Sequence, residues 1–317
     1  MILLFGASGY IGRAFAAELD RRGLACQPVS RADVDFSSAA SLQRMIDAQA
    51  PSFVINAAGF TGQPNVDACE TNQADTILGN VMFPQMLAQA CSMSDVPLGH
   101  VSSGCIYDGC LVQNAGEWTI ERNLAGEPFR RRVADAPHTI RGFGETSVPN
   151  FSFRNSPCSF YSGTKALAEE WLANARAVYI WRLRIPFDEL DGARNYLSKL
   201  QRYDRLYESF NSLTHRADFA QAAIDLWERR APFGVYNMTN PGFVSTNEVT
   251  EMIGSILGGG KSFEFFADAD EFYSRAAVAP RSNCILDTDK LAATGVVMRP
   301  VREALQAALE SWAPESR

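Results

Sequence analysis

MILLFGASGYIGRAFAAELDRRG, residues 1–23, begins with five apolar residues and breaks at a glycine. A short, continuous apolar run of this kind reads as a strand buried on both faces. Beyond the glycines, Ile11, Phe15 and Leu19 recur at helical spacing, and Gly23 closes the helix. The unit is strand, glycine-rich turn, helix, and a second strand follows in ACQPVS (25–30). Gly6 lets the chain turn sharply out of the strand. Gly9 lets backbone approach a pyrophosphate, and Gly12 lets the helix pack close to the sheet. The helix N-terminus offers free N–H groups and a positive dipole end to phosphate. Between a first strand and a first helix, this pattern predicts a dinucleotide site around Gly6, Ser8, Gly9, Tyr10, Ile11 and Gly12.

The end of the second strand selects the cofactor. An acid there holds the adenosine ribose of NAD, whereas a basic residue accommodates the extra phosphate of NADP. The tip reads VSRADVDF (29–36), with Arg31 where NAD binders often carry the acid. The expectation is NADP(H) over NAD(H), with Ser30 and Arg31 on the phosphate and Asp35 toward the adenine end. An Arg31 that merely faces solvent is the alternative. SFVINAAGF (52–60) is the next buried strand, and its small end residues leave room for a cofactor. Asn56, Ala57, Ala58 and Gly59 are therefore candidate contacts, with Asn80 further on. A helix is expected from about Asn72 to Cys91, kinked at Pro84, and then the strand PLGHVSS (97–103). Alternating strands and helices imply an α/β fold with a doubly wound parallel sheet, whose ligands lie beyond the carboxyl ends of the strands.

The 317 residues allow one large domain or two closely joined ones. A net charge of −7 argues against nucleic acid as a partner. The seven scattered cysteines form no C-x-x-C pair, so neither a disulfide framework nor a zinc site is indicated, and no metal is expected. A reducing cytoplasm is the natural setting. The first apolar stretch lacks a basic leader and is broken by glycines, so it does not read as a signal peptide. No apolar run is long enough to span a membrane.

FYSGTKALAEEWL (160–172) places Tyr161 and Lys165 four apart on one helix face. A phenol, with an ordinary pKa of about 10, is a poor acid. An ammonium one turn away favours the phenolate. A nearby serine hydroxyl can hold a carbonyl oxygen, and Ser103 stands at the tip of its strand. Together the three can protonate a ketone as hydride arrives.

This combination resembles the extended short-chain dehydrogenase/reductases, which implies a Rossmann-type sheet with Ser103, Tyr161 and Lys165 as the catalytic triad. A closer resemblance runs over nearly the whole chain. NAAGFTGQPNVDACE (56–70), SGCIYDG (103–109), SFYSGTKALAEE (159–170), ARNYLSKL (193–200), NMTNPGFVSTNEV (237–249) and APRSNCILDT (279–288) look like the 3,5-epimerase/4-reductases of rhamnose synthesis. These are similar to dTDP-4-dehydrorhamnose reductases. The resemblance implies epimerisation and 4-keto reduction of a nucleoside-diphosphate-4-keto-6-deoxyhexose. A plain 4-ketoreductase and a non-catalytic regulatory protein stay open as alternatives. A homodimer is also allowed.

The resemblance further implies Cys105 and Lys199 as the epimerising pair. A thiol, with an ordinary pKa of about 8.5, can act as acid or, modestly shifted, as base. If the chain stays extended, Ser103 and Cys105 face the same side. The alternative is a thiol that fills core space. Substrate contacts implied are Thr61, Gln63, Ser103, Cys105, Asn195, Arg281 and Asn283. The nucleotide domain is expected over 1–185 and 213–240, and a smaller C-terminal substrate lobe over 186–212 and 241–317. Residues 109–157 read as an inserted loop or lid that closes over the sugar or mediates assembly.

Overall fold

None of the four residues of the first strand, β1 (Ile2–Phe5), has an exposed side chain, so the strand takes a central place. The computed structural model describes residues 1–63, 65–258 and 260–314. Helix α1 (Tyr10–Arg21) follows the glycine turn, then β2 (Cys26–Val29), α2 (Ala39–Gln49) and β3 (Phe53–Asn56). After them come α3 (Phe83–Met93), β4 (Leu98–Ser103), α4 (Phe160–Leu172), β5 (Val178–Leu183) and β6 (Gly234–Asn237). The six strands form one sheet in the order β6-β5-β4-β3-β1-β2. β1 pairs in parallel with both β2 and β3, and β3 with β4. The strand order reverses beside β1, which is where doubly wound sheets bind ligands.

Alternate residues of each strand feed opposite faces. On one face Leu3, Phe5 and Val54 pack with Leu42 and Ile46 of α2 and with Leu87 and Cys91 of α3. On the other, Phe15 of α1 stacks on Trp181 of β5 at 5.7 Å, and Phe53 stacks on Trp227 at 4.9 Å. Trp181 lies so close to β4 that a Cβ at Gly99 would be 2.0 Å from its ring. Truncating such a buried aromatic costs about 3–5 kcal/mol.

The expected single helix from Asn72 to Cys91 is three segments. Gln73–Ile77 is α-helical, Leu78–Met82 forms a wider π-turn, and α3 runs on to Met93. Pro84 explains the break, since it has no N–H to give the carbonyl of Asn80 and its ring crowds that carbonyl. Placed in the first turn of α3, the missing donor costs little.

The chain divides into two units. The first comprises residues 1–106, 149–182 and 220–236; the second comprises 107–148, 183–219 and the chain from 237 onward. Residues 107–148 thus group with the second unit rather than with the six-stranded sheet. They are also not a structureless loop. Cys110–Asn114 and Glu117–Glu121 pair antiparallel as a hairpin, and Ile140–Arg141 pairs on the other side of the first strand. The two turn residues, Ala115 and Gly116, both have positive φ, 48° and 90°, as a tight hairpin requires. Cys110 and Val112 point inward and pack with Leu124, Phe129, Phe210 and Ile285. The lid expectation therefore loses its premise of a long free loop. A further core of the second unit joins Phe187, Leu197 and Leu213 to Ile253 of helix Thr246–Leu257 and Leu305 of helix Val301–Glu310. Among the described residues, no helix is long and apolar enough to cross a membrane.

Candidate active site

A cleft of about 760 Å³ opens in the first unit at the carboxyl ends of β1, β2 and β3. Gly6, Ala7, Ser8 and Gly9 form one wall, and Ala57, Ala58 and Gly59 another. Gly6 has φ +77°, and a Cβ there would sit 2.6 Å from the Ala58 nitrogen. Only glycine fits both the conformation and the space. A Cβ on Gly12 would lie 2.0 Å from the Gly6 carbonyl oxygen, so α1 packs on the turn as expected. Gly12, Tyr10 and Ile11 do not line the cleft; Gly12 acts through packing, and α1 carries the other two past the wall. This bare, backbone-walled cradle fits the pyrophosphate of a dinucleotide.

The β2 end of the cleft carries Ser30, Arg31, Asp33 and Asp35. Ser30 donates its N–H and its O–H to Asp33 at 2.8 and 2.7 Å, which pulls the Asp33 carboxyl below its ordinary range. Asp35 accepts in the same way from Ser37. Sequence reading passed over Asp33, although its place three residues after Ser30 suits a turn-closing acid. Arg31 is the basic side chain of the lining among the described residues.

Two asparagines expected to touch the cofactor are spent inside the protein. Asn56 is fully buried; its Nδ2 meets His100 Nδ1 at 3.1 Å, and its Oδ1 accepts from Ala58 N–H at 3.0 Å. Asn80 is also fully buried. Its Oδ1 accepts from Phe60 N–H, and its Nδ2 donates to Phe60 O, each at 2.8 Å, with Thr164 Oγ1 at 3.3 Å. Both shape the 57–60 loop rather than line the cleft.

The residues expected to transfer protons sit on α4 and at the tip of β4. Ser159 caps α4 by accepting from Ser162 N–H, and Glu70 accepts from Phe160 N–H at 2.8 Å. Tyr161 is half-buried one turn before Lys165, which is buried. Lys165 Nζ donates to the Val101 carbonyl of β4 at 3.1 Å. It would also lie 3.9 Å from a Cβ on Gly59, so the ammonium stands at the edge of the cleft. Burial pushes the Lys165 pKa down, and the neighbouring Cys105 and Glu169 oppose the shift. Ser103 is buried at the strand end, and its Oγ accepts from Cys105 N–H at 3.2 Å.

The chain does not stay extended beyond Ser103. Residues Gly104–Ile106 form a 3₁₀ turn, so strand alternation does not carry Cys105 to the Ser103 side. Instead the turn holds the buried thiol within electrostatic reach of Lys165. No two of the seven cysteines are joined in a disulfide. Among the described residues, no group of three or more His, Cys, Asp or Glu side chains is gathered to hold a metal.

Thr61 and Gln63, also in the first unit, are exposed. The second unit carries the remaining candidates. Asn195 is fully buried and N-caps helix Tyr196–Arg202, and its Nδ2 donates to Asp188 and to the Leu190 carbonyl. That amide has no capacity left for substrate, which corrects its expected role. Asn283, half-buried, gives its backbone N–H to Asp108, and its Oδ1 accepts from Asn211 Nδ2 at 3.1 Å, which fixes the oxygen side of the amide. Lys199 is half-buried on the helix that Asn195 caps. Burial, helped by Arg194, pushes its pKa down, the direction a base needs. Arg281 is half-buried, with one Nη donating to the Ala279 carbonyl.

Residues 1–148 match the family described as "RmlD substrate binding domain". Over 304 residues the chain is 32% identical to a bifunctional dTDP-4-dehydrorhamnose 3,5-epimerase/dTDP-4-dehydrorhamnose reductase of Arabidopsis thaliana, covering 96% of this chain and 90% of the relative. A trifunctional UDP-glucose 4,6-dehydratase/UDP-4-keto-6-deoxy-D-glucose 3,5-epimerase/UDP-4-keto-L-rhamnose-reductase of the same plant is 31% identical over 306 residues. That match takes in 96% of this chain and 41% of the longer one. The crystal structure of the L780 UDP-rhamnose synthase of Acanthamoeba polyphaga mimivirus is similar with a TM-score of 0.81, at 25% identity and 98% coverage of both chains.

Proposed function

We propose a function from one established premise: the chain belongs to the family of the bifunctional dTDP-4-dehydrorhamnose 3,5-epimerase/reductases. It acts on a nucleoside-diphosphate-4-keto-6-deoxyhexose, inverts carbons 3 and 5, and reduces the ketone at carbon 4. The observation that carries this reading is the Lys165 ammonium, held between the Val101 carbonyl and Gly59 at the cleft edge, one turn from Tyr161.

A nicotinamide dinucleotide, held by the glycine turn and the 57–59 wall, supplies the hydride when bound. Lys165 favours the Tyr161 phenolate, so the phenol gives up its proton to the ketone oxygen more readily. Ser103 Oγ accepts from Cys105 N–H, which leaves its own proton to donate to that same oxygen. In epimerisation the carbons flanking the ketone lose and regain protons, and Ser103 and Tyr161 stabilise the enolate oxygen. Cys105 and Lys199 are the proton-transfer pair, and Arg281 takes the diphosphate through its guanidinium fork. Thr61 and Gln63 are further substrate contacts. Arg31 favours NADP(H) over NAD(H), because it brings a cation to an otherwise acidic end of the cleft. The enzyme works in the cytoplasm, where free thiols persist.

One observation favours a second reading. Cys105 lies in a buried turn rather than on an extended strand, as a thiol that only packs would. A monofunctional reductase would then suffice. Two variants decide. Tyr161→Phe should abolish cofactor oxidation by the 4-keto sugar. Cys105→Ser should lose solvent-deuterium uptake at carbons 3 and 5 yet still reduce an already epimerised substrate. Full uptake by Cys105→Ser removes the thiol from the scheme.

A further inference from the structure

We propose that Glu169 is a positioning residue for the proton-transfer set: clamped by Arg182, it pins Ser102 beside Ser103 and keeps a carboxylate one helical turn from Lys165. Glu169 is 7% exposed and lies four residues beyond Lys165 on α4, so the two share a face. Its Oε2 accepts from Arg182 Nε and Nη2 at 2.9 and 2.6 Å, and its Oε1 accepts from the Ser102 hydroxyl at 2.6 Å. Arg182, 4% exposed, comes from β5, and Ser102 from β4. One carboxylate therefore ties a helix to two strands.

The strand end that presents Ser103 is gripped at three consecutive residues. Lys165 holds the Val101 carbonyl, Glu169 holds the Ser102 hydroxyl, and Cys105 N–H holds the Ser103 hydroxyl. A buried ion pair is often replaceable by apolar residues at little cost in stability. Stability alone thus does not account for a charged pair that also hydrogen-bonds the neighbour of Ser103. The charge has a second consequence. Burial works against the Lys165 ammonium, and Glu169 is one of two groups that support it. A neutral amine at this position could not favour the Tyr161 phenolate.

The inference rests on the reductase reading, but its main test does not use activity. The chain has four lysines, at 165, 199, 261 and 290, so ¹³C-labelled lysine side chains give four resolvable NMR signals. Lys165→Arg assigns one by its loss. In Glu169→Gln the Lys165 signal should titrate about one pH unit lower than in the parent protein. The alkaline limb of the kcat profile for ketone reduction should move with it, while KM changes little. Glu169→Gln strands a buried guanidinium and can fail to fold. The double variant Glu169→Gln/Arg182→Met removes both charges, whose effects on Lys165 oppose each other, so it is read by kcat for ketone reduction, which should fall with KM little changed as the clamp on Ser102 is lost. An unchanged Lys165 titration in folded Glu169→Gln, or an unchanged kcat in the folded double variant, overturns the proposal. A parent protein that reduces no 4-keto sugar overturns the functional reading instead, and the NMR titration still decides the role of Glu169.

Discussion

Replacing Asn80 by alanine separates a residue that braces the cofactor loop from one that touches the cofactor. Asn80 is fully buried, and its amide satisfies both the N–H and the C=O of Phe60 at 2.8 Å. Alanine orphans both groups. Each buried backbone group left without a partner costs about 1–3 kcal/mol, so the sum is about 2–6 kcal/mol. The adjoining Gly59 is exposed, and water can reach part of the gap, which favours the lower half of that range. Thr164 loses little, because its hydroxyl keeps the Tyr161 carbonyl at 2.8 Å. Against a typical total of about 5–15 kcal/mol, the loss is easily read by urea denaturation. The 57–59 wall must then be ordered on binding, and a charge of roughly 1 kcal/mol for this raises the Kd for NADPH about five-fold. Both effects should appear together. A variant of parental stability whose cofactor affinity is nonetheless lost would refute the bracing role and make Asn80 a direct contact.

Gly12→Ala drives a Cβ to 2.0 Å from the Gly6 carbonyl oxygen and 2.8 Å from the Ala7 Cα, so turn or helix must shift. Cofactor affinity measured by fluorescence titration should fall more than tenfold, with about 1–3 kcal/mol of stability lost as for other overpacked sites. Arg31→Ala should raise KM for NADPH about tenfold, the equivalent of one charge-assisted hydrogen bond, and leave KM for NADH unchanged in steady-state assays; equal effects on both would assign Arg31 to solvent. His215 lies between Glu189 at 3.3 Å and Asp218 at 3.1 Å. Burial opposes its charged form, yet the two carboxylates outweigh burial and raise its pKa above the ordinary value near 6.5. Its stabilisation is therefore complete below about pH 6.5 and disappears as pH rises through the raised folded value. His215→Asn should cost more stability at pH 6 than at pH 9 by urea denaturation, and an equal cost at both would contradict the assignment.

The fold was legible where one residue type can do one job. The β1–turn–α1 unit needed glycine at positions 6 and 12 for steric reasons that any sequence with this pattern shares. Tyr161 and Lys165 were legible because helical period alone puts them together. The asparagines misled for a physical reason. Asn56, Asn80 and Asn195 are equally apt to hold a ligand or to cap and brace backbone, and only burial tells which. Cys105 was misplaced because the strand ends two residues earlier than the alternation argument needs. The 109–157 segment carried a usable signal: alternating CLVQN and EWTIE flank the two-residue turn Ala115–Gly116. Composition obscured it, since its glycines, arginines and prolines read as loop. Glu169 and Arg182 are 13 apart in sequence and meet only because α4 packs on the sheet beside β5.

Mass spectrometry of the sugar product in deuterated water, with NADPH and a panel of nucleoside-diphosphate 4-keto-6-deoxyhexoses, bears most directly on the proposed function. One reduced 6-deoxyhexose product is expected, carrying solvent deuterium at carbons 3 and 5, in step with cofactor oxidation. Reduction without deuterium at those carbons would contradict the epimerase half, and no cofactor oxidation with any member of the panel would contradict the whole.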